Sequence, residues 1–385
     1  MLINTMGKNR AGIDITQQSG YKAFIPNPLP LKPPLKIDSE MIELLSRADT
    51  AIGRLSGISE ALPNPDLFVA MYVRKEAVLS SQIEGTEASL EDILEYESEN
   101  RPKALANDVA EVVSYVRAMN YGLERINELP LSLRLIREIH AELMKGVRGG
   151  DKTPGEFRKS QNWIGPKECT LSTARFIPPP PHEMIQAMGE LEKYIHSELT
   201  YPLLIECGLI HCQFETIHPF LDGNGRIGRL LITFFLCYKG ILKKPLLYLS
   251  HYFKQNRLEY YDQLMAIRDI GDFESWIKFF LKGIIYVADE ACATSHKIID
   301  LRNKDKAEIN KAYKKISKVT ILHEKLFDKP IVSIKDVAKV INTTFPTAND
   351  MCSKLIKLDI LKEITEKKRN RMFAYKEYLD ILKQE

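Results

Sequence analysis

Twelve consecutive residues, from His218 to Arg229, carry the side-chain types of a phosphate-transfer site. They read His-Pro-Phe-Leu-Asp-Gly-Asn-Gly-Arg-Ile-Gly-Arg. A histidine whose pKa is close to neutrality can take a proton from an attacking hydroxyl. Magnesium in proteins is often held by one or two carboxylates together with the phosphate oxygens of a substrate. His218 is therefore a candidate general base, and Asp222 is a candidate magnesium ligand.

The glycines and arginines of this stretch predict an anion site. Glycine brings backbone N–H groups close to an anion because it has no Cβ and tolerates positive φ. The helix predicted to follow adds free N–H groups and the positive end of its dipole. Arg226 and Arg229, three residues apart, share one face of that helix and could bind phosphate oxygens. The alternative is a polar loop between two helices with surface arginines.

The twelve residues resemble the signature of Fic-domain proteins, His-x-Phe-x-Asp/Glu-Gly-Asn-Gly-Arg-x-x-Arg, and match it at every specified position. The resemblance covers roughly residues 35–300. It implies a protein adenylyltransferase that transfers AMP from ATP to a Ser, Thr or Tyr hydroxyl, with Mg²⁺ on Asp222, His218 as base and Phe220 as the apolar pin of the loop. The implied nucleotide-binding residues are Gly223, Asn224, Gly225, Arg226, Ile227, Gly228 and Arg229.

A second motif precedes this stretch, at Ser80, Glu84 and Gly85. Glu84 falls at the predicted end of a helix, where the helix dipole disfavours a carboxylate, so a cationic partner is expected. A solvated glutamate is the alternative. Fic proteins with their own inhibitory helix carry Ser/Thr-x-x-x-Glu-Gly/Asn. The resemblance therefore implies that Glu84 reaches Arg229, occupies the space of the ATP γ-phosphate and inhibits the chain from within.

Two further site predictions rest on the same resemblance. Short extended pieces between residues 165 and 177 are assigned to a β-hairpin flap on which the target protein docks; a plain surface hairpin is the alternative. Asn256, followed by Tyr260 and Tyr261, is placed near the nucleoside end of the ATP site, although an aromatic pair at the start of a helix is usually part of the core.

The composition of the chain limits the class of protein and the compartment that can be expected. The 385 residues are 44% hydrophobic and 27% charged, with a net charge of +3, which is typical of a globular protein. The six cysteines lack metal-site spacing, and several lie in apolar helical runs, so we expect neither metal binding nor disulfides, and a reducing compartment. With no signal pattern and no membrane-length apolar run, a cytoplasmic protein is expected.

The last part of the chain differs from the rest in its charge and in its pattern of predicted elements. Residues 301–385 hold 20 lysines and arginines against 12 acidic residues, so this part is basic and the remainder mildly acidic. Helical runs at 316–327, 333–341 and 346–358 and strands at 331–332, 361–365 and 372–376 predict a winged helix-turn-helix. Its basic tip, at 366–370, could contact DNA phosphates, or the module could be a surface for a target or for self-association.

The predicted fold is mainly α: a Fic-type helical bundle with a small β-hairpin flap, plus the C-terminal winged helix-turn-helix. A homodimer is expected.

The alternatives in function are a Fic-type enzyme that removes AMP or transfers another phosphate group, and a nucleotide-sensing DNA-binding regulator. A toxin that receives its inhibitory glutamate from a partner is disfavoured by Glu84. The predicted divisions are an extended strap (1–36), a helical region with the inhibitory helix (37–130), the core (131–287), a helical linker (288–315) and the winged helix-turn-helix (316–385).

Overall fold

Helices account for most of the computed structural model, which describes residues 9–61, 65–97, 106–166, 168–313, 318–365 and 371–383. Across these ranges, no helix combines the length and the apolar character needed to cross a bilayer. The mainly α prediction is confirmed. In chain order the elements are β1 (Gly12–Thr16), β2 (Lys22–Pro26), α1 (Ser39–Ala61), α2 (Pro65–Ile83), α3 (Leu90–Glu97), α4 (Ala106–Arg125), α5 (Leu133–Leu143), α6 (Pro181–His196), α7 (Leu203–Ile217), α8 (Asn224–Tyr238), α9 (Ser250–Gln255), α10 (Arg257–Ile270), α11 (Phe273–Ala312), α12 (Lys318–Leu326), β3 (Ile331–Ser333), α13 (Ile334–Val340), α14 (Phe345–Lys357), β4 (Lys362–Glu363), β5 (Met372–Ala374) and α15 (Lys376–Lys383).

Helix α7 is the centre of the core. Every residue from Leu204 to Ile217 is buried, as expected of a helix that is apolar around its circumference. It packs against α6, α8, α10 and α11. Helix α11 approaches it at Gly208, whose carbonyl accepts a hydrogen bond from Trp276 Nε1 at 2.9 Å. A Cβ at Gly208 would lie 2.9 Å from Ile277 Cδ1, so glycine is needed for this close packing.

Helix α11 is one uninterrupted helix of 40 residues. The predicted boundary between core and linker, at 287/288, therefore falls inside a continuous helix. Apolar residues continue to be buried beyond it, at Ile298, Leu301 and Ile309, because α11 packs along α1 and then contacts α12 and α15. The ion pairs of Lys278 with Asp38 and Glu40, both at 2.6 Å, join the start of α1 to α11.

The N-terminal segment, predicted only as an extended strap (1–36), differs from that prediction in two respects. Strands β1 and β2 form an antiparallel hairpin, with Gly12 opposite Pro26 and Thr16 opposite Lys22. The proline-rich segment after it buries its leucines against the core, at Leu29, Leu31 and Leu35. Apolar residues alternate on both sides of a Ser19-Gly20 turn, which is a signal of a hairpin. The prolines between residues 26 and 34 favoured an extended strap instead.

The C-terminal elements follow the predicted order, and the sheet has the strand order β3-β5-β4. Ser333 caps α13 in a capping box with Asp336. Strand β4 is shorter than predicted, and helix α15, which packs back on α11, was not predicted. The basic tip at 366–370 lies outside the described residues. The winged helix-turn-helix assignment stays a prediction.

The two tryptophans allow a test of this packing. Trp276 is fully buried among aromatic rings and bonded to α7, whereas Trp163 is 42% exposed. We expect Trp276→Ala to lower the free energy of unfolding by about 3–5 kcal/mol, because it leaves a large cavity. Trp163→Ala should change it by less than about 1 kcal/mol. Urea unfolding followed by circular dichroism measures both; equal losses in the two variants would contradict the described core.

Candidate functional site

The chain turns sharply where α7 ends. His218 has left-handed backbone angles (φ 51°, ψ 61°), and its N–H donates to the Phe214 carbonyl at 2.9 Å. The His218 carbonyl accepts hydrogen bonds from Arg158 Nε at 3.0 Å and from Asn162 Nδ2 at 3.2 Å. A non-glycine residue in this region is unfavourable, so these donors hold a conformation that the backbone alone would not keep.

Phe220 and Asn224 close the loop that follows. The Asn224 side chain accepts from Phe220 N and donates to Phe220 O, both at 2.8 Å. The Phe220 ring is fully buried and stacks on the His140 ring at 3.7 Å. The role implied for Phe220 as an apolar pin agrees with this geometry. The Asn224 amide, expected to face a phosphate, is instead committed to the loop backbone.

His140 is a supporting residue that the sequence analysis missed. Burial lowers the pKa of His140 to about 4, so its ring is neutral at pH 7. Its Nδ1 accepts from Gly155 N at 2.9 Å, and its Nε2 lies 3.1 Å from the Asp222 carbonyl. Nε2 therefore carries the proton and donates to that carbonyl. The only signal in the sequence was a histidine on the apolar face of α5.

The predicted anion site is the first turn of α8. Gly223 precedes it with φ 77°, and the first intrahelical bond runs from Ile227 N to the Gly223 carbonyl at 3.0 Å. The N–H groups of residues 224–226 therefore have no intrahelical acceptor. Asp222 lies beside this turn, with Oδ1 accepting from Gly223 N at 2.7 Å and Oδ2 paired with Lys152 Nζ at 3.1 Å.

Arg226 is buried in this turn without a full set of partners. Its side chain is 5% exposed, and its Nε and Nη1 have no hydrogen-bond acceptor among the described residues. The neighbouring carboxylates are Glu111 Oε2 at 3.7 Å from Nη1 and Asp222 Oδ1 at 3.6 Å from Nη2. Unmet donors on a buried guanidinium are unfavourable, and a phosphate oxygen would satisfy them.

Arg229 contacts the motif that was predicted to reach it. Its Nε donates to Ser80 Oγ at 2.8 Å, and its Nη2 donates to Ser80 O at 3.0 Å and to Glu84 Oε1 at 2.7 Å. The Arg229 side chain is 2% exposed and that of Glu84 is 38% exposed. Gly225 makes room for Glu84, because a Cβ there would lie 2.3 Å from Oε1. Gly85, with φ 96°, turns the chain after Glu84.

One cavity of about 590 Å³ connects these groups, a volume suited to a small-molecule ligand. One part of the cavity is lined by Glu84, His218, Asp222 and the first turn of α8. Another part is lined by Arg257, Tyr260, Tyr261 and Leu264. Tyr260 is buried, with its hydroxyl 3.0 Å from His211 Nε2.

Asn256 does not line the cavity; it donates to the Tyr252 carbonyl between α9 and α10. Its predicted nucleotide contact is not supported by this geometry.

His218 is neutral in this environment. Burial lowers its pKa to about 3, and the nearby guanidiniums of Arg268 and Arg158 act in the same direction. The free imidazole is therefore the form present at pH 7, but its pKa lies well below the near-neutral value on which His218 was chosen as a candidate base, so a proton on this ring needs a stabilising countercharge. Arg268 was missed by sequence reasoning; it joins the end of α7 to the flap, since its Nη2 donates to the Glu215 carbonyl at 3.1 Å and its guanidinium lies 3.9 Å from the Phe176 ring centroid.

The predicted β-hairpin flap is reduced to a single bridge. Ile164 and Phe176 exchange backbone hydrogen bonds of 2.8 and 3.0 Å, and turns occupy the described residues between them. The Ile177 carbonyl instead accepts from Phe24 N of β2 at 2.9 Å. The N-terminal hairpin therefore supports this segment, in place of a second flap strand.

Comparisons with known proteins agree with the motifs. Residues 42–124 match the Fic/DOC family N-terminal region, and residues 130–236 match the Fic/DOC family. A probable protein adenylyltransferase of Aquifex aeolicus is 29% identical over 46% of this chain and 51% of its own length. Protein adenylyltransferase Fic of Aedes aegypti is 28% identical over 63% and 46%, respectively. The chain thus spans about half the length of the curated relatives it matches.

The overall fold also has a solved counterpart. A Fic family protein from Desulfovibrio desulfuricans G20 superposes with a TM-score of 0.60 at 19% identity, over 89% of this chain and 97% of that one. This likeness concerns the fold. Together with the sequence matches, it covers both the helices that carry Glu84 and those that carry the loop from His218 to Arg229. The chain therefore contains a Fic N-terminal domain followed by the Fic domain of the Fic/DOC family.

Proposed function

We propose that this chain is a protein adenylyltransferase that transfers AMP from ATP to a Ser, Thr or Tyr hydroxyl of a target protein. The observation that carries the proposal is the buried Arg226, whose guanidinium has unmet donors in the same cavity as a neutral His218. The relatives named protein adenylyltransferase support the type of reaction.

In this proposal the ATP phosphates lie over the first turn of α8. Backbone N–H groups at the start of the helix bind the α-phosphate, and Arg226 binds the β-phosphate. Arg229 binds the γ-phosphate once Glu84 has left it. The glycines at 223 and 225 allow the phosphates to come close to the backbone. Ile227 and Gly228 continue the first turn of α8 behind the phosphates. The nucleoside extends toward Tyr261 and Leu264, which line the other part of the cavity.

Asp222 fits the expected magnesium ion as a single carboxylate ligand. Among the described residues no group of three His, Cys, Asp or Glu side chains could hold a metal by itself, and magnesium commonly uses one carboxylate with substrate phosphates. Asp222 is partly exposed and lines the cavity. When bound, Mg²⁺ would neutralise charge on the α- and β-phosphate oxygens.

The chemistry itself uses His218. Its Nε2 takes the proton of the target hydroxyl as the hydroxyl oxygen forms a bond to the α-phosphorus. The bond between that phosphorus and the oxygen of the β-phosphate breaks, and pyrophosphate leaves with the electron pair. The arginines and the helix N-terminus stabilise charge that is already directed toward them, so little reorganisation is needed.

Glu84 inhibits the reaction in this proposal. It holds Arg229 and its carboxylate lies against the first turn of α8, where it excludes the γ-phosphate. The target would dock on the segment 165–177, near the open side of the cavity. The C-terminal module is proposed to be a winged helix-turn-helix. A gel shift on duplex DNA would measure whether it contacts DNA, and sedimentation would measure whether the chain forms a homodimer.

The first test concerns His218. We expect His218→Ala to lower AMP transfer by about 10²–10⁴-fold, the usual contribution of a general base, while ATP binding persists because the arginines are unchanged. Transfer is measured with α-³²P-ATP and magnesium, and binding by calorimetry. His182→Ala, an exposed histidine on α6, is the control. Wild-type transfer in His218→Ala would exclude it as the base.

The second test concerns Glu84. We expect Glu84→Gly to raise AMP transfer by about 10–100-fold, because losing a charge-assisted hydrogen bond of ~1.5–3 kcal/mol frees Arg229. Glu87→Gly, three residues away and without the contact to Arg229, is the matched control. Unchanged or lower transfer in Glu84→Gly would contradict the inhibition. Loss of AMP from a modified target, measured by mass, would instead favour the removal reaction.

A further inference from the structure

We propose that Glu215 is the positioning residue of the base: its backbone carbonyl orients the His218 imidazole, and its carboxylate balances the charge that the ring gains on protonation. This inference rests on the proposed function, because it concerns the same proton transfer. The sequence analysis did not identify Glu215, which lies in the last turn of α7, outside the signature.

Glu215 is directed at the side of the imidazole that does not face the reaction. Its Oε2 lies 4.0 Å from His218 Nδ1, and its backbone carbonyl lies 3.4 Å from the same nitrogen. The carbonyl is the hydrogen-bond acceptor, and the carboxylate lies farther away on the same side, so Nδ1 carries the ring proton. Nε2 is then left unprotonated, as the base requires.

The carboxylate is buried, and one of its two oxygens lacks a hydrogen-bond partner. The Glu215 side chain is 7% exposed, and its Oε1 has no hydrogen-bond partner in the described structure. Helix α8 passes it at Gly228, where a Cβ would lie 2.1 Å from Oε1. A buried carboxyl oxygen without a hydrogen-bond partner is costly, so a role in the site would account for its presence.

Protonation of His218 needs a countercharge. Arg158 bonds the His218 carbonyl and Arg268 bonds the Glu215 carbonyl, so two cations flank the ring. Both act against an imidazolium, as does burial. Among the described residues, Glu215 is the carboxylate that comes within 4.0 Å of the ring nitrogens. Its negative charge would stabilise the imidazolium that forms as the hydroxyl loses its proton.

The charge of Glu215 depends on pH in the neutral range. Burial raises the pKa of Glu215 to about 7; Arg229 and Arg268 lower it and Glu84 raises it. The other titratable groups that face it are His218, Tyr260 and Tyr261, which are neutral near pH 7. Glu215 is therefore ionised above about pH 7 and protonated below it, so the base is assisted on the alkaline side.

The kinetic test uses the full chain in the Glu84→Gly background. We expect AMP transfer in this parent to rise about tenfold with pH as Glu215 ionises. The midpoint should lie below pH 7, because this parent lacks Glu84, whose negative charge raises the pKa of Glu215. Adding Glu215→Gln should lower the rate by about 10–100-fold at pH 8 and remove this rise, with the KM for ATP unchanged. Glu215→Asp, which keeps the charge, should restore the pH dependence. A wild-type rate and pH profile in Glu215→Gln would overturn the proposal.

Glu206→Gln is the matched control. Glu206 is also buried on α7, but its Oε1 accepts from the N–H groups of Thr200 and Tyr201 at 2.9 and 2.8 Å, away from the site. This variant should lose stability and keep the pH profile. If Glu206→Gln abolished the rise as Glu215→Gln does, the effect would be structural and the assignment to Glu215 would fail.

A second measurement does not depend on AMP transfer, so it separates failure of this inference from failure of the proposed function. With ¹⁵N-labelled histidine, His218→Ala identifies the His218 signal among the eight histidines. We expect the neutral His218 ring to show a shift with a midpoint near pH 7, absent in Glu215→Gln and kept in Glu206→Gln. A His218 signal that does not respond near pH 7, or responds equally in Glu215→Gln, would overturn the proposal even if the enzyme transfers AMP.

Discussion

The arrangement of the site depends on the contacts that the buried guanidinium of Arg229 makes with Ser80 and Glu84. A buried cation must be bonded and paired, and Arg229 obtains both from the end of α2: two hydrogen bonds to Ser80 and one to Glu84. The same bonds hold the N-terminal helices over the first turn of α8. A phosphate that replaced Glu84 would leave the bonds to Ser80 in place, so the exchange affects one partner only.

The loop before α8 is rigid for a different reason. Its unusual backbone at His218 is held by Arg158 and Asn162, and its middle is closed by Asn224 on Phe220. None of these groups is free to rearrange on ligand binding without breaking buried hydrogen bonds. His218 and the first turn of α8 therefore keep a fixed separation, which is what electrostatic preorganisation of the proposed reaction would require.

The local features could be predicted from the sequence, and the features set by distant contacts could not. Helix α7 and the start of α8 follow from an apolar run interrupted by glycines, and the contact of Glu84 with Arg229 was implied by the resemblance to Fic proteins that two motifs carry. The N-terminal hairpin was missed because the proline at its end and the four prolines that follow it, between residues 28 and 34, favoured an extended chain without regular pairing. Asn256 was misplaced because its spacing to the tyrosines says nothing about which side of α10 faces the cavity; in the structure it bonds Tyr252.

His140, Arg158, Arg268 and Glu215 show why polar groups on apolar elements escape sequence reasoning. Each lies far along the chain from its partner or inside a helix that reads as core. Glu215 nevertheless has a partner in the sequence, at Gly228, a position that the signature leaves open. Any side chain at 228 would meet the carboxyl of Glu215, so a chain that places glutamate at 215 in this conformation needs glycine at 228. Such a pair is recognisable only after the crossing of α7 and α8 is known.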